Sequence, residues 1–77
     1  MKTGSEETYK RFQRMLVEAR KKSGLSQQEV ADRLGRPQTY VSKCELGTRQ
    51  MDVVEFLEMS KVVGFDPVMF VRKLKSD

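Results

Sequence analysis

The 77-residue sequence has no histidine, no tryptophan and a single cysteine, Cys44. One thiol cannot form an internal disulfide, and without histidine no metal-ligand set assembles around it. Neither a cross-link nor a structural metal is therefore expected to stabilise the fold. A lone cysteine also fits a reducing, cytosolic setting. No apolar run is long enough to cross a bilayer, and none follows Lys2 as a leader segment would. The expectation is a soluble, untargeted, cytoplasmic protein. Enzyme chemistry is equally hard to assemble. There is no imidazole base and no glycine-rich phosphate loop, and the carboxylates of Glu55 and Glu58 on one helix flank mean little alone. No enzyme, no cofactor and no small-molecule ligand is expected.

What the chain does have is charge in one place. The net charge is +4, and the stretch from Arg20 to Arg49 holds all of that excess: Arg20, Lys21, Lys22, Arg33, Arg36, Lys43 and Arg49 against Glu29, Asp32 and Glu45. The remainder is balanced. A basic middle with neutral ends suggests one surface facing a polyanion, against the plainer reading of a solvated face.

Punctuation divides the chain into five helices. Gly24, Gly35, Gly47 and Gly64 each follow an apolar-periodic segment, where a helix end favours a residue tolerant of positive φ. Ser26 with Glu29, and Asp52 with Glu55, have capping-box spacing, and Asp66-Pro67 places a cap acceptor before a first-turn proline. The helices predicted are about Glu6–Ser23, with Tyr9, Phe12, Leu16 and Ala19 inward; Gln27–Leu34, with Val30, Ala31 and Leu34 inward; Gln38–Leu46, with Val41 and Cys44 inward; Val53–Val63, with Val53, Phe56, Leu57, Ser60 and Val63 inward; and Pro67–Leu74. The sequence thus predicts an all-α fold and a single domain over 1–77, its core about 6–74, with frayed ends at 1–5 and 75–77.

Two short helices joined by Gly35-Arg36-Pro37 are the informative part. Helices this short are marginal alone and persist only when packed on neighbours. A tight turn holds the second steeply to the first, so that it stands proud enough to enter a major groove about 12 Å wide. The run LSQQEVADRLGRPQTYVSKCELGTRQ resembles the Cro-type (XRE, lambda-repressor-like) helix-turn-helix family through Leu25, Ser26, Gln27, Glu29, Val30, Ala31, Leu34, Gly35, Glu45 and Gly47. The resemblance covers roughly residues 12–70 and implies a compact five-helix lambda-repressor-like bundle.

The resemblance also implies roles. Gln38, Thr39 and Lys43 match base-reading positions, and Gln27 matches a residue that clamps a backbone phosphate. The chemistry agrees: Gln pairs with adenine, Lys with guanine, and the Thr methyl with a thymine methyl. Arg36, Tyr40, Ser42, Arg49 and Gln50 are expected at the DNA backbone, which positions without specifying; for Tyr40, packing at the rim is the equal alternative. Arg20 and Glu45 match a structural ion pair tying helix 1 to the end of helix 3. Pro37 departs from the family pattern, because it stands where Ser or Thr usually caps the recognition helix. Cys44 departs too, replacing a larger aliphatic residue.

The implied function is sequence-specific binding of double-stranded DNA to regulate transcription, as a repressor or autoregulator of prophage, restriction–modification controller or antitoxin type. A single module has a small interface, so a homodimer on a pseudo-palindromic operator is expected. Its interface is expected at helix 5, where Phe65, Val68, Met69, Phe70, Val71 and Leu74 exceed what one small core can bury. The alternative from another class is a helical protein-interaction module, for example toxin-binding, with little DNA affinity.

Overall fold

Five helices follow one another, with no strand among the described residues: α1 (Thr3–Lys22), α2 (Gln27–Leu34), α3 (Gln38–Leu46), α4 (Val53–Val63) and α5 (Pro67–Lys75). The structure, a computed structural model, describes residues 3–75. Residues 3–5, expected to fray, continue α1, and Lys75 extends α5. Residues 1, 2, 76 and 77, also expected to fray, lie outside the described residues.

Local chemistry sets the starts and stops. Ser26 accepts from the Glu29 amide while Glu29 accepts from the Ser26 amide, and Asp52 and Glu55 repeat the exchange at α4. Each box satisfies amides that the first helical turn leaves without partners. Gly35 ends α2 at φ 72°, and the next amide, Arg36 N–H, donates back to Ala31 O at 3.0 Å. Gly47 ends α3 under two constraints. Its φ is 86°, and a Cβ there would run into the side-chain amide of Gln13 on α1. The turn between α2 and α3 is closed by Pro37, extended at φ −65° and ψ 152° with no side-chain cap. The first turn of α3 therefore starts from proline geometry without a side-chain cap, with Tyr40 N–H donating to Pro37 O at 3.0 Å.

Packing joins α2 to α3 and α4, α1 to α3 and α5, and α4 to α5. The core comprises Leu16, Val30, Ala31, Tyr40, Val41, Cys44, Met59, Val63 and Phe70, with Ser60 also buried. Four phenylalanines close one end. Phe70 lies 4.8 Å from Phe65, 5.1 Å from Phe56 and 5.7 Å from Phe12, centroid to centroid. This cluster unites α1, α4 and α5 and adds ring–ring attraction to area burial.

Three sequence expectations change here. Tyr9 is exposed, at the rim of an open cleft that it lines with Phe12, Met51 and Leu74. On α4, Val53 and Leu57 face outward with Val54, while Phe56, Met59, Ser60 and Val63 face inward. The α4 sequence is apolar on nearly every side, and Phe56 decides the face by joining the aromatic cluster. Phe65 and Phe70, expected at a dimer interface, belong to that same cluster and fill this chain's own core. Leu74 is half-buried, whereas Val68, Met69 and Val71 remain exposed.

Candidate nucleic-acid interface

The helix α3 has two faces. Tyr40, Val41 and Cys44 point inward and are buried. Thr39 and Lys43 lie exposed on the opposite side, with Gln38 and Ser42 half-buried beside them. Residues three and four apart share a helix face, so Thr39, Ser42, Lys43 and Leu46 form one outward row. Leu46 is 70% exposed at the end of that row. Sequence reasoning missed it, although its spacing of three from Lys43 was legible.

A hydrogen-bonded relay runs from α1 to the first turn of α3. Arg20 Nε donates to Glu45 Oε2 at 2.7 Å and Arg20 Nη2 to Glu45 Oε1 at 3.1 Å, while Nη1 donates to the Leu25 carbonyl at 3.0 Å. Gln27 Nε2 donates to Glu45 Oε1 at 2.9 Å, and Gln38 Nε2 donates to Gln27 Oε1 at 2.6 Å. Arg20, Glu45, Gln27 and Gln38, placed in three different roles by the sequence, thus form one connected unit. Its ion pair is largely desolvated, with Arg20 and Glu45 side chains 13% and 7% exposed.

A second cluster sits on the α4 side. Arg49 grips Glu55 with two bonds of 3.1 Å, and Arg36 Nη2 lies 3.5 Å from Glu55 Oε2. Both guanidinium groups lie over the Tyr40 ring, at 4.3 Å for Arg36 and 4.7 Å for Arg49. The hydrogen bond from Arg49, helped by the Asp52 amide, holds the Glu55 carboxyl below the usual carboxylate range and raises Arg49 in turn. Tyr40, for which the DNA backbone and packing were equal expectations, is packed, 7% exposed beneath these arginines. Burial, with Cys44 and Glu55 nearby, pushes its phenol up to about 12. Burial likewise raises the Cys44 thiol, which suits inert packing. The role of Glu55 here went unseen in the sequence, because its capping-box spacing accounted for it already. Gln50 is exposed in the loop before α4, where its carbonyl accepts from Arg49 at 3.1 Å.

This geometry defines a helix-turn-helix protein: two short helices locked across a tight turn, the second showing a polar, basic face to solvent. The family profile described as "Helix-turn-helix domain" matches residues 13–71. A solved structure, an XRE-family like protein from Pseudomonas syringae pv. tomato str. DC3000, superposes with a TM-score of 0.91 at 42% sequence identity, covering 96% of this chain and 90% of that one. No curated protein sequence matches. The chain belongs to the XRE-type helix-turn-helix family, an all-α family of DNA-binding regulators. Among the described residues, no helix is long and apolar enough to cross a membrane.

Proposed function

We propose that this chain is a sequence-specific transcriptional regulator, a repressor or autoregulator of prophage, restriction–modification controller or antitoxin type, that acts as a homodimer on a pseudo-palindromic operator. The observation that carries this reading is the division of α3 into a buried anchor, Tyr40, Val41 and Cys44, and an outward row bearing Thr39 and Lys43. Gln38, Thr39 and Lys43 read base edges. Gln27, Arg36, Ser42, Arg49 and Gln50 hold the phosphate backbone, and the α2 N-terminus lends its free amides to the same task. Arg20 and Glu45 tie α1 to the end of α3. Tyr40 serves this surface from below, as the platform on which the two arginines rest.

A single module of this size buries too little DNA surface for tight binding, which favours two copies with half-site centres about 34 Å apart. The exposed apolar residues Val53, Val54 and Leu57 on α4, with Val68, Met69 and Val71 on α5, suit contact with the second copy. The same residues are what favours the second reading, a module that binds another protein such as a toxin. Salt distinguishes the two. With Arg36 and Arg49 of both protomers on phosphates, the log–log slope is about −3.6, roughly a hundredfold loss between 50 and 200 mM salt. Gel shifts with random duplex and with selected operator test this. No binding even at low salt would leave the protein-interaction reading standing.

A further inference from the structure

We infer that Glu45 is a positioning residue for base reading: its carboxylate decides which end of the Gln38 amide faces the DNA. The inference rests on the reading of Gln38 as a base contact. A carboxylate held in an ion pair accepts hydrogen bonds and offers none. Gln27 must therefore turn its NH2 group toward Glu45 Oε1, where it sits at 2.9 Å. That orientation leaves Gln27 Oε1 as the only end that can meet Gln38, and an oxygen there requires the Gln38 NH2 group, which donates to it at 2.6 Å. Each amide in the relay is oriented by the one before it, and the first is oriented by an acceptor that cannot reverse. Arg20 locks that acceptor in place with two bonds of its own.

The consequence appears at the far end. One N–H of Gln38 is taken by Gln27, and among the described residues nothing else engages its amide. What remains for the DNA is the carbonyl oxygen and the second N–H, one acceptor beside one donor. Adenine presents the complement in the major groove, a donor at N6 and an acceptor at N7. If the relay ran the other way, Gln38 would spend its oxygen on Gln27 and turn both N–H groups outward. That pattern suits the two acceptors of guanine, O6 and N7. A residue that touches no base would then set the choice between the two purines.

Binding-site selection from randomised duplexes, with the full chain and variants checked for helicity and melting, tests this. The base pair read by residue 38 is the one whose preference Gln38→Ala erases. Wild type selects adenine there. The paired change Arg20→Met with Glu45→Leu removes the acceptor that fixes the Gln27 amide, so both downstream amides are free to turn and adenine-over-guanine discrimination at that pair falls by roughly tenfold or more in the ratio. Gln27→Leu keeps the ion pair but breaks the relay, and it reduces adenine-over-guanine discrimination at that pair alone, leaving the pair read by Lys43 unchanged. A purely structural role for Glu45 would weaken all sequences alike and leave every preference in place; that result overturns the inference. So does an unchanged adenine preference in Gln27→Leu, whether or not the paired variant folds. Selection of another base by wild type at that pair overturns the inference while leaving Gln38 a base reader. If Gln38→Ala changes no preference, the base-reading assignment falls first and the inference with it.

Discussion

Removing Arg20 should cost this protein a large part of its stability. Arg20→Ala deletes two hydrogen bonds to Glu45, at 2.7 and 3.1 Å, and one to the Leu25 carbonyl at 3.0 Å. The Glu45 side chain, 7% exposed, would keep only the Gln27 amide as partner. Stripping one member from a buried pair costs about 3–5 kcal/mol, because the other charge is left desolvated. Arg20 is 13% exposed, so some water reaches the pair and the lower end, about 3 kcal/mol, is expected. A chain of this length has a total stability of about 4–12 kcal/mol, so the variant sits near the edge of folding. At about 4–8 °C per kcal/mol, the melting temperature should fall by about 12–24 °C. Urea titrations followed by circular dichroism measure this directly. The double change Arg20→Met with Glu45→Leu, which removes both charges, should be more stable than Arg20→Ala alone. An Arg20→Ala protein within about 1 kcal/mol of wild type would refute the assignment of a desolvated, structurally important pair.

Three further outcomes separate the remaining assignments. Lys43→Ala should relax preference at one or two base pairs, costing about 1–3 kcal/mol on the best site, whereas Arg49→Ala should weaken all sequences alike and flatten the dimer's salt slope by about 1.8, one phosphate contact in each protomer; equal weakening of every sequence by both would remove Lys43 from base reading. Stability should fall on the alkaline side. Tyr40 is raised from 10.0 to about 12 in the folded protein, so the unfolded chain ionises first and stability drops as pH rises between those values. Roughly 3 kcal/mol is at stake, and Tyr40→Phe should flatten that part of the pH profile; a variant with wild-type alkaline sensitivity would contradict the burial. Finally, Val54→Asp with Leu57→Asp changes two exposed residues, so the melt should barely move while sedimentation shows monomer in place of dimer. A variant that still dimerises would move the contact off α4, and a wild type that is monomeric with and without DNA would end the dimer reading.

Much of this fold was legible because the sequence states its boundaries chemically. Ser26 with Glu29 and Asp52 with Glu55 announce two helix starts, and Gly35 and Gly47 mark two ends. Both limits of α2, the end of α3 and the start of α4 follow from these residues without any knowledge of packing. The faces were less legible. In α4, apolar residues occupy nearly the whole circumference, so periodicity cannot say that Phe56 and Met59 turn inward while Val53 and Leu57 do not. Only the meeting of four phenylalanines from separate segments decides it, and that meeting is a tertiary fact. The same holds for Tyr40. The sequence left its ring between the DNA backbone and packing, and the structure places it under Arg36 and Arg49, which approach from the α2–α3 turn and the α3–α4 loop. Glu55 was legible as a cap and illegible as the anchor of two arginines, because one carboxylate does both.

That double use changes the electrostatic argument from which the DNA-binding reading began. The basic excess between Arg20 and Arg49 already sets Glu45 against one of the seven bases, but it leaves out Glu55. In the folded chain Arg20 is consumed by Glu45, and Arg36 and Arg49 share Glu55, a residue outside that stretch. Lys43 is left as a basic side chain of the outward α3 face, with two partly neutralised arginines beside it. The attraction one copy exerts on DNA is therefore weaker than the sequence charge suggests, and it is spent on holding α3 in place as much as on phosphates. Such an interface gains rigidity, which favours selective reading, and gives up part of the non-specific affinity that counterion release supplies. Two copies joined through the apolar α4–α5 surface would restore that affinity without loosening either recognition helix, which is the physical reason to expect dimerisation and operator binding to be lost together.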